Sequence, residues 1–192
     1  MIDRASILVV SGLPRSGTSM MMKMLEAGGI PVVTDKLRVA DHNNPNGYYE
    51  FERVKKLKDM DYGWLEGAKG KVVKIISGLI TYLPTSYCYK VIFMQRNMLE
   101  VLASQRKMLG RLGKPENKVE DEQLIKIFQV HLHDVEDWMQ RQPNIELLTI
   151  NYNQMLNDPA DSIQQINHFM GGSLDTQEMV GMINKDLYRE RN

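Results

Sequence analysis

The 192 residues suit one domain, and with 43% of them hydrophobic the chain can bury a sizeable core. Lys and Arg number 24 against 24 Asp and Glu, so no global field draws nucleic acid or an anionic membrane, and any positive charge that matters is local. The lone cysteine, Cys88, closes no intramolecular disulfide, no His/Cys cluster has zinc-like spacing, and the first apolar run breaks at Gly12, Pro14 and Arg15, too early for a signal peptide or a membrane span. The expectation is a cytoplasmic protein, residues 1–192 forming a single domain, with no structural metal.

Residues 5–11 read as a buried strand. Directly after it, Gly12-Leu13-Pro14-Arg15-Ser16-Gly17-Thr18-Ser19 sets two glycines five apart, which lets the backbone curl so that successive amides point inward above a helix start. An oxyanion suits such a loop. Its spacing is that of a P-loop, yet Thr18 stands where a nucleotide hydrolase carries its phosphate-reaching lysine. Residues 18–28 then read as a helix ringed by Met20, Met21, Met22, Met24 and Leu25 and stopped at Gly28-Gly29. Residues 30–33 suggest a second short strand, and 35–47 a long polar loop whose densest turn signal is Asn43-Asn44-Pro45-Asn46-Gly47. If Tyr48-Tyr49-Glu50-Phe51-Glu52 is extended, Tyr48, Glu50 and Glu52 share one face. The alternative makes Glu50 and Glu52 solvated charges opening a helix that contains Val54 and Leu57.

Residues 71–76 and 90–95 are strand-like apolar runs, the second leading into a helix over 97–109, with a break at 110–118. A long amphipathic helix follows over 120–140, with Leu124, Ile127, Phe128, His131, Val135, Trp138 and Met139 as its apolar stripe. A strand at 145–150, a turn and a helix over 161–170 complete the pattern. Strands alternating with helices predict an α/β fold, a three-layer sandwich around a central, mainly parallel sheet, with ligands at the strands' carboxyl ends. Arg15, Lys74, Arg96 and the two glutamates all fall at such ends or on the loops above them. Ser104, eight residues after Arg96 and a little over two helical turns on, shares its side of the helix.

These residues resemble the sulfotransferases that use 3′-phosphoadenosine 5′-phosphosulfate (PAPS). Pro14-Arg15-Ser16-Gly17-Thr18-Ser19 is similar to their 5′-phosphosulfate loop, in the arginine form of tyrosylprotein-type and many bacterial members. Arg96 and Ser104 are similar to the element that grips the 3′-phosphate, and Lys74 to the lysine strand that precedes it. Asn151-Tyr152-Asn153 resembles a later strand-to-helix segment in which a tyrosine, here Tyr152, lies near the nucleotide. The resemblance spans residues 5–171 and implies a P-loop NTPase-like sulfotransferase fold. Two departures stand out. The glycine-lysine motif that closes over the nucleotide in cytosolic members is missing, and the C-terminal Leu187-Tyr188-Arg189-Glu190-Arg191 offers Arg189 in its place. The histidine base of those members would fall near Ile76, so Glu50 or Glu52 is the candidate base.

The resemblance implies transfer of a sulfuryl group from PAPS to a hydroxyl or amine of a small-molecule or peptide acceptor. Arg15 and Lys74 would steady charge on the departing phosphate, with no metal required, since a sulfuryl group carries less charge than a phosphoryl group. Two other readings stay open at this point: a P-loop kinase or hydrolase, and a non-catalytic protein that binds PAPS or adenosine 3′,5′-bisphosphate (PAP). Neither a nucleic-acid nor a membrane partner is expected, and the oligomeric state is open. His42 reads as a solvated loop residue, while His131 and His133 fall on different helix faces and make no metal pair. Tyr62 and Trp64 read as a satellite core and Cys88 as structural.

Overall fold

The computed structural model describes residues 5–35, 49–111, 113 and 119–183. Four parallel strands form its sheet, β1 (Ile7–Gly12), β2 (Val72–Lys74), β3 (Tyr89–Gln95) and β4 (Ile145–Asn151), in the order β2-β1-β3-β4. Every residue of β1 is buried, as befits a central parallel strand covered on both faces. Register pairs Val10 with Lys74 on one side of β1 and with Ile92 on the other, and pairs Met94 with Ile150 further out.

Alternation along β1 separates two cores. Leu8 and Val10 face a cluster built by α1 (Thr18–Ala27), α5 (Tyr152–Asn157), α6 (Pro159–Phe169) and α7 (Thr176–Gly181), in which Met21, Met22 and Met24 are fully buried. Ile7 and Val9 face the other cluster, made with a 3-10 helix (Glu52–Asp59), α2 (Ser77–Ile80), α3 (Met98–Arg111) and α4 (Asp121–Gln140). The α/β sandwich expected from the alternation of strands and helices is therefore present. β2 lies on one side of β1 and β3 on the other, so the chain reverses its direction across the sheet at β1. That reversal opens a crevice at the carboxyl ends of β1 and β3, where α/β sheets bind ligands.

Caps explain several boundaries. The Asn151 carboxamide accepts from the Gln154 amide to open α5, Asp175 accepts from Glu178 to open α7, and Pro159 begins α6 where its missing N–H costs nothing.

Three expectations need correction. Residues 30–33 do not form a strand: Val32 makes one isolated bridge to Val72, because Pro31 has only a carbonyl to offer the Val72 amide and β2 itself is three residues long. Of the two readings of 48–52 the extended one fails, since Tyr49 is left-handed at φ 50, and the other holds for Glu52, which opens a 3-10 helix containing the buried Val54 and Leu57. In α4 the expected Phe128, Val135, Trp138 and Met139 do pack into the cluster of Ile7 and Val9, but Ile127 is 52% exposed and Leu132 is buried in the seam instead. Tyr48, His42, Arg189 and most of the 35–47 loop lie outside the described residues. Among the described residues no helix is long and apolar enough to cross a membrane.

Candidate functional site

The loop between β1 and α1 starts and ends on backbone that favours glycine. Gly12 has φ 144, and a Cβ there would come within 2.6 Å of the Met94 carbonyl oxygen. Gly17 has φ 100, and its Cβ would lie 2.3 Å from the Tyr152 ring. Between them Arg15 sits at φ 78, a left-handed conformation that L-residues adopt only when their surroundings impose it.

Those surroundings come from α3, which lies across the loop. The Arg15 Nε donates to Ser104 Oγ at 2.9 Å, Gln105 Nε2 donates to the Pro14 carbonyl at 3.1 Å, and Arg96 Nη1 donates to the Arg15 carbonyl at 3.1 Å. Arg96 is itself buried against Glu100, with Nε 2.9 Å from the carboxylate, and its guanidinium lies 4.6 Å above the Tyr152 ring. Arg96, from the link between β3 and α3, Ser104 of α3 and Tyr152 of α5 thus meet at the loop. Asn153, from the segment around Tyr152, also belongs to this assembly, as do Glu100 and Gln105, which the sequence reading does not single out. The signal for Glu100 was there: it stands four residues after Arg96 at the start of a helix, the spacing at which opposite charges meet.

On the far side of the loop β2 brings Lys74 alongside β1, with Nζ 3.4 Å from Ser19 Oγ. Arg15, Thr18, Ser19, Lys74, Glu50 and Glu52 line one cavity of about 350 Å³. Its other walls are largely apolar, with Phe51, Ile76, Leu79 and Met108 among them. The two glutamates differ. Both carboxylate oxygens of Glu52 are held by the Lys55 ammonium, at 2.6 and 2.8 Å. Glu50 is half-buried, and its carbonyl accepts from the Asp35 amide and the Thr34 hydroxyl, which fixes its backbone at the neck of the loop. Beside it, the Tyr49 hydroxyl donates to Glu26 at 2.6 Å; burial first, then that carboxylate, push the phenol well above its usual range.

Among the described residues the hydroxyl of Ser16, buried within the loop, has no hydrogen-bond partner, and neither has that of Ser11. A curled loop with spare hydroxyl donors, the arginine and lysine cations and a helix start is the donor set for an oxyanion such as a phosphosulfate. Among the described residues no group of three or more His, Cys, Asp or Glu is placed to hold a metal ion.

Comparison with known proteins decides which anion chemistry this is. The sulfotransferase domain family matches residues 6–190. The chain belongs to that family. As a sulfotransferase it transfers a sulfuryl group, and the kinase reading of the loop falls with the lysine that Thr18 replaces. Solved structures agree on the fold. A retinol dehydratase in complex with androsterone and inactive cofactor PAP aligns at TM-score 0.54 and 18% identity, over 98% of this chain and 67% of its own. A mouse sulfotransferase complexed with PAP aligns at TM-score 0.56 and 14% identity, over 100% of this sulfotransferase and 69% of its own chain. A sulfotransferase domain from the curacin biosynthetic pathway aligns at TM-score 0.54 and 13% identity, over 95% and 79%. No curated protein sequence matches the chain significantly.

Proposed function

We propose that this sulfotransferase takes its sulfuryl group from PAPS and passes it to a hydroxyl or amine of a small acceptor, with Glu50 as the base. The observation that carries the reading is the convergence of Arg15 and Ser19, Lys74 and Glu50, from three separate segments, on one largely apolar cavity. Two of the neighbours are complexed with PAP, the nucleotide that remains once PAPS has given up its sulfuryl group. The loop residues Pro14, Arg15, Ser16, Gly17, Thr18 and Ser19 hold the phosphosulfate end, Arg96 and Ser104 the 3′-phosphate, and Tyr152 and Arg189 the remaining nucleotide.

In the transfer the acceptor oxygen or nitrogen forms a bond to sulfur as the bond from sulfur to the 5′-phosphate oxygen breaks, and that oxygen keeps the electron pair. Arg15 and Lys74 stabilise the charge that gathers there, and Glu50 takes the acceptor's proton. Glu52, committed to Lys55, is the weaker candidate for that role. The apolar walls exclude water, which would otherwise compete as acceptor.

Calorimetric titration tests the donor: PAP binds without magnesium, and ATP does not bind with or without it. Magnesium-dependent ATP binding, or no response to PAP, overturns the reading. For the base, sulfated product is measured with PAPS on an acceptor drawn from a panel of alcohols, phenols and amines. Glu50→Gln lowers turnover by roughly 10²- to 10⁴-fold and leaves PAP affinity unchanged, whereas Glu52→Gln stays within a few-fold of the parent. If both variants keep full turnover, the base lies elsewhere.

A further inference from the structure

We propose that Glu100 is a positioning residue that sets the loop arginine, Arg15, through Arg96. The proposal rests on the reading that Arg15 holds the donor's phosphosulfate end. Glu100 is in the first turn of α3, where any acidic residue is favoured by the helix dipole, but such residues are normally solvated. This one is 4% exposed, and a buried carboxylate is costly unless each of its oxygens is met. Here Oε2 receives Arg96 Nε at 2.9 Å and Oε1 receives Asn153 Nδ2 at 2.9 Å. Asn153 in turn accepts from the Asn97 amide at 3.1 Å, so the starts of α3 and α5 are joined through one carboxylate.

The consequence falls on the loop. The fork of Arg96 is planar and rigid, so fixing Nε against Glu100 also fixes the direction of Nη1, which donates to the carbonyl of Arg15. That residue is held in the left-handed region at φ 78, and a carbonyl pinned from below is what keeps it there. Tyr152 closes the arrangement, with its ring under the Arg96 guanidinium and against Gly17. Without Glu100, the Arg96 guanidinium loses the carboxylate that fixes its Nε, and with it the direction of Nη1. The Arg15 carbonyl then loses its anchor, and the Arg15 side chain loses its fixed aim.

A double-mutant cycle on PAP affinity tests this, read by calorimetry on the full chain. Glu100→Gln weakens PAP binding by about tenfold and lowers turnover while the acceptor KM stays within twofold. In an Arg96→Ala background the same Glu100→Gln change alters PAP affinity by less than twofold, because Arg96, through which Glu100 acts, is already gone. Glu100→Asp, which keeps the charge, restores part of the turnover, and it replaces Glu100→Gln in the cycle if that variant fails to fold. Equal effects of Glu100→Gln in both backgrounds, or none in either, overturn the proposal. An Arg15→Ala variant that binds PAP and turns over as the parent does overturns the underlying reading of Arg15 instead, so the two failures are told apart.

Discussion

Gly17 combines two demands that single residues rarely meet together. Its φ of 100 belongs to a region where a side chain is strained, and the space a Cβ would need is filled by the Tyr152 ring, 2.3 Å away. Gly172 isolates the first demand: its φ is 78, yet a Cβ there meets nothing within 4 Å. Gly172→Ala therefore costs about 1–2 kcal/mol of stability and leaves PAP binding intact, because only backbone strain is added. Gly17→Ala adds the displacement of an aromatic ring that also supports Arg96, so it destabilises further, by roughly 1–3 kcal/mol of strain plus the repacking, and weakens PAP binding. Urea unfolding and PAP titration on the two variants check the contrast. Equal PAP affinity in both would remove Tyr152 from its place beneath the loop.

Long elements with strong local signals were legible, and those defined by partners far away in sequence were not. The apolar run Ile7-Leu8-Val9-Val10 reads as a buried strand whichever strands pair with it, and the glycines of the loop announce their backbone. The 30–33 run has the composition of a strand, but the sheet grants it one bridge, and only the short partner strand β2 explains why. Likewise Arg15, Lys74 and Glu50 stand out in the chain as residue types, but their meeting depends on β2 lying beside β1. For Glu100 the pairing with Arg96 four residues before is legible, but its burial is not: an acidic residue opening a helix looks solvated until the Asn153 amide, 53 residues on, is seen to reach it. In α4, residues 124–139 carry more apolar side chains than the sheet can cover, so the periodicity alone could not choose the seam. That choice is testable. Leu132 is 7% exposed and Ile127 is 52% exposed. Leu132→Ala costs about 2–5 kcal/mol by chemical denaturation, whereas Ile127→Ala stays within about 0.5 kcal/mol of the parent. Comparable losses in both would put the seam back where the sequence pattern suggested.

At the scale of the whole molecule, two tyrosines report on the two faces of the sheet. Tyr49 packs against the cluster under α1, and Tyr89 is buried in the cluster under α4. Both phenols are shifted up: Tyr49 by burial and then by Glu26, Tyr89 by burial and then by the neighbouring Tyr87 and Tyr62. A raised folded-state value means that the folded chain keeps a proton which the unfolded chain gives up above about pH 10. The unfolded state then binds fewer protons, and stability falls as pH rises through that window; below it the contribution is fully present. Each phenol steepens the loss by at most about 1.4 kcal/mol per pH unit, and Tyr49 by less, because it is only partly buried and water screens its charge. Tyr49→Phe therefore lowers stability near neutrality by no more than about 1 kcal/mol, the bond to Glu26 being exposed, yet flattens the decline above pH 10. Urea unfolding of both proteins across that range measures the two slopes. Parallel slopes would mean that Tyr49 titrates as an ordinary exposed phenol, and that it is not tied to α1 through its hydroxyl.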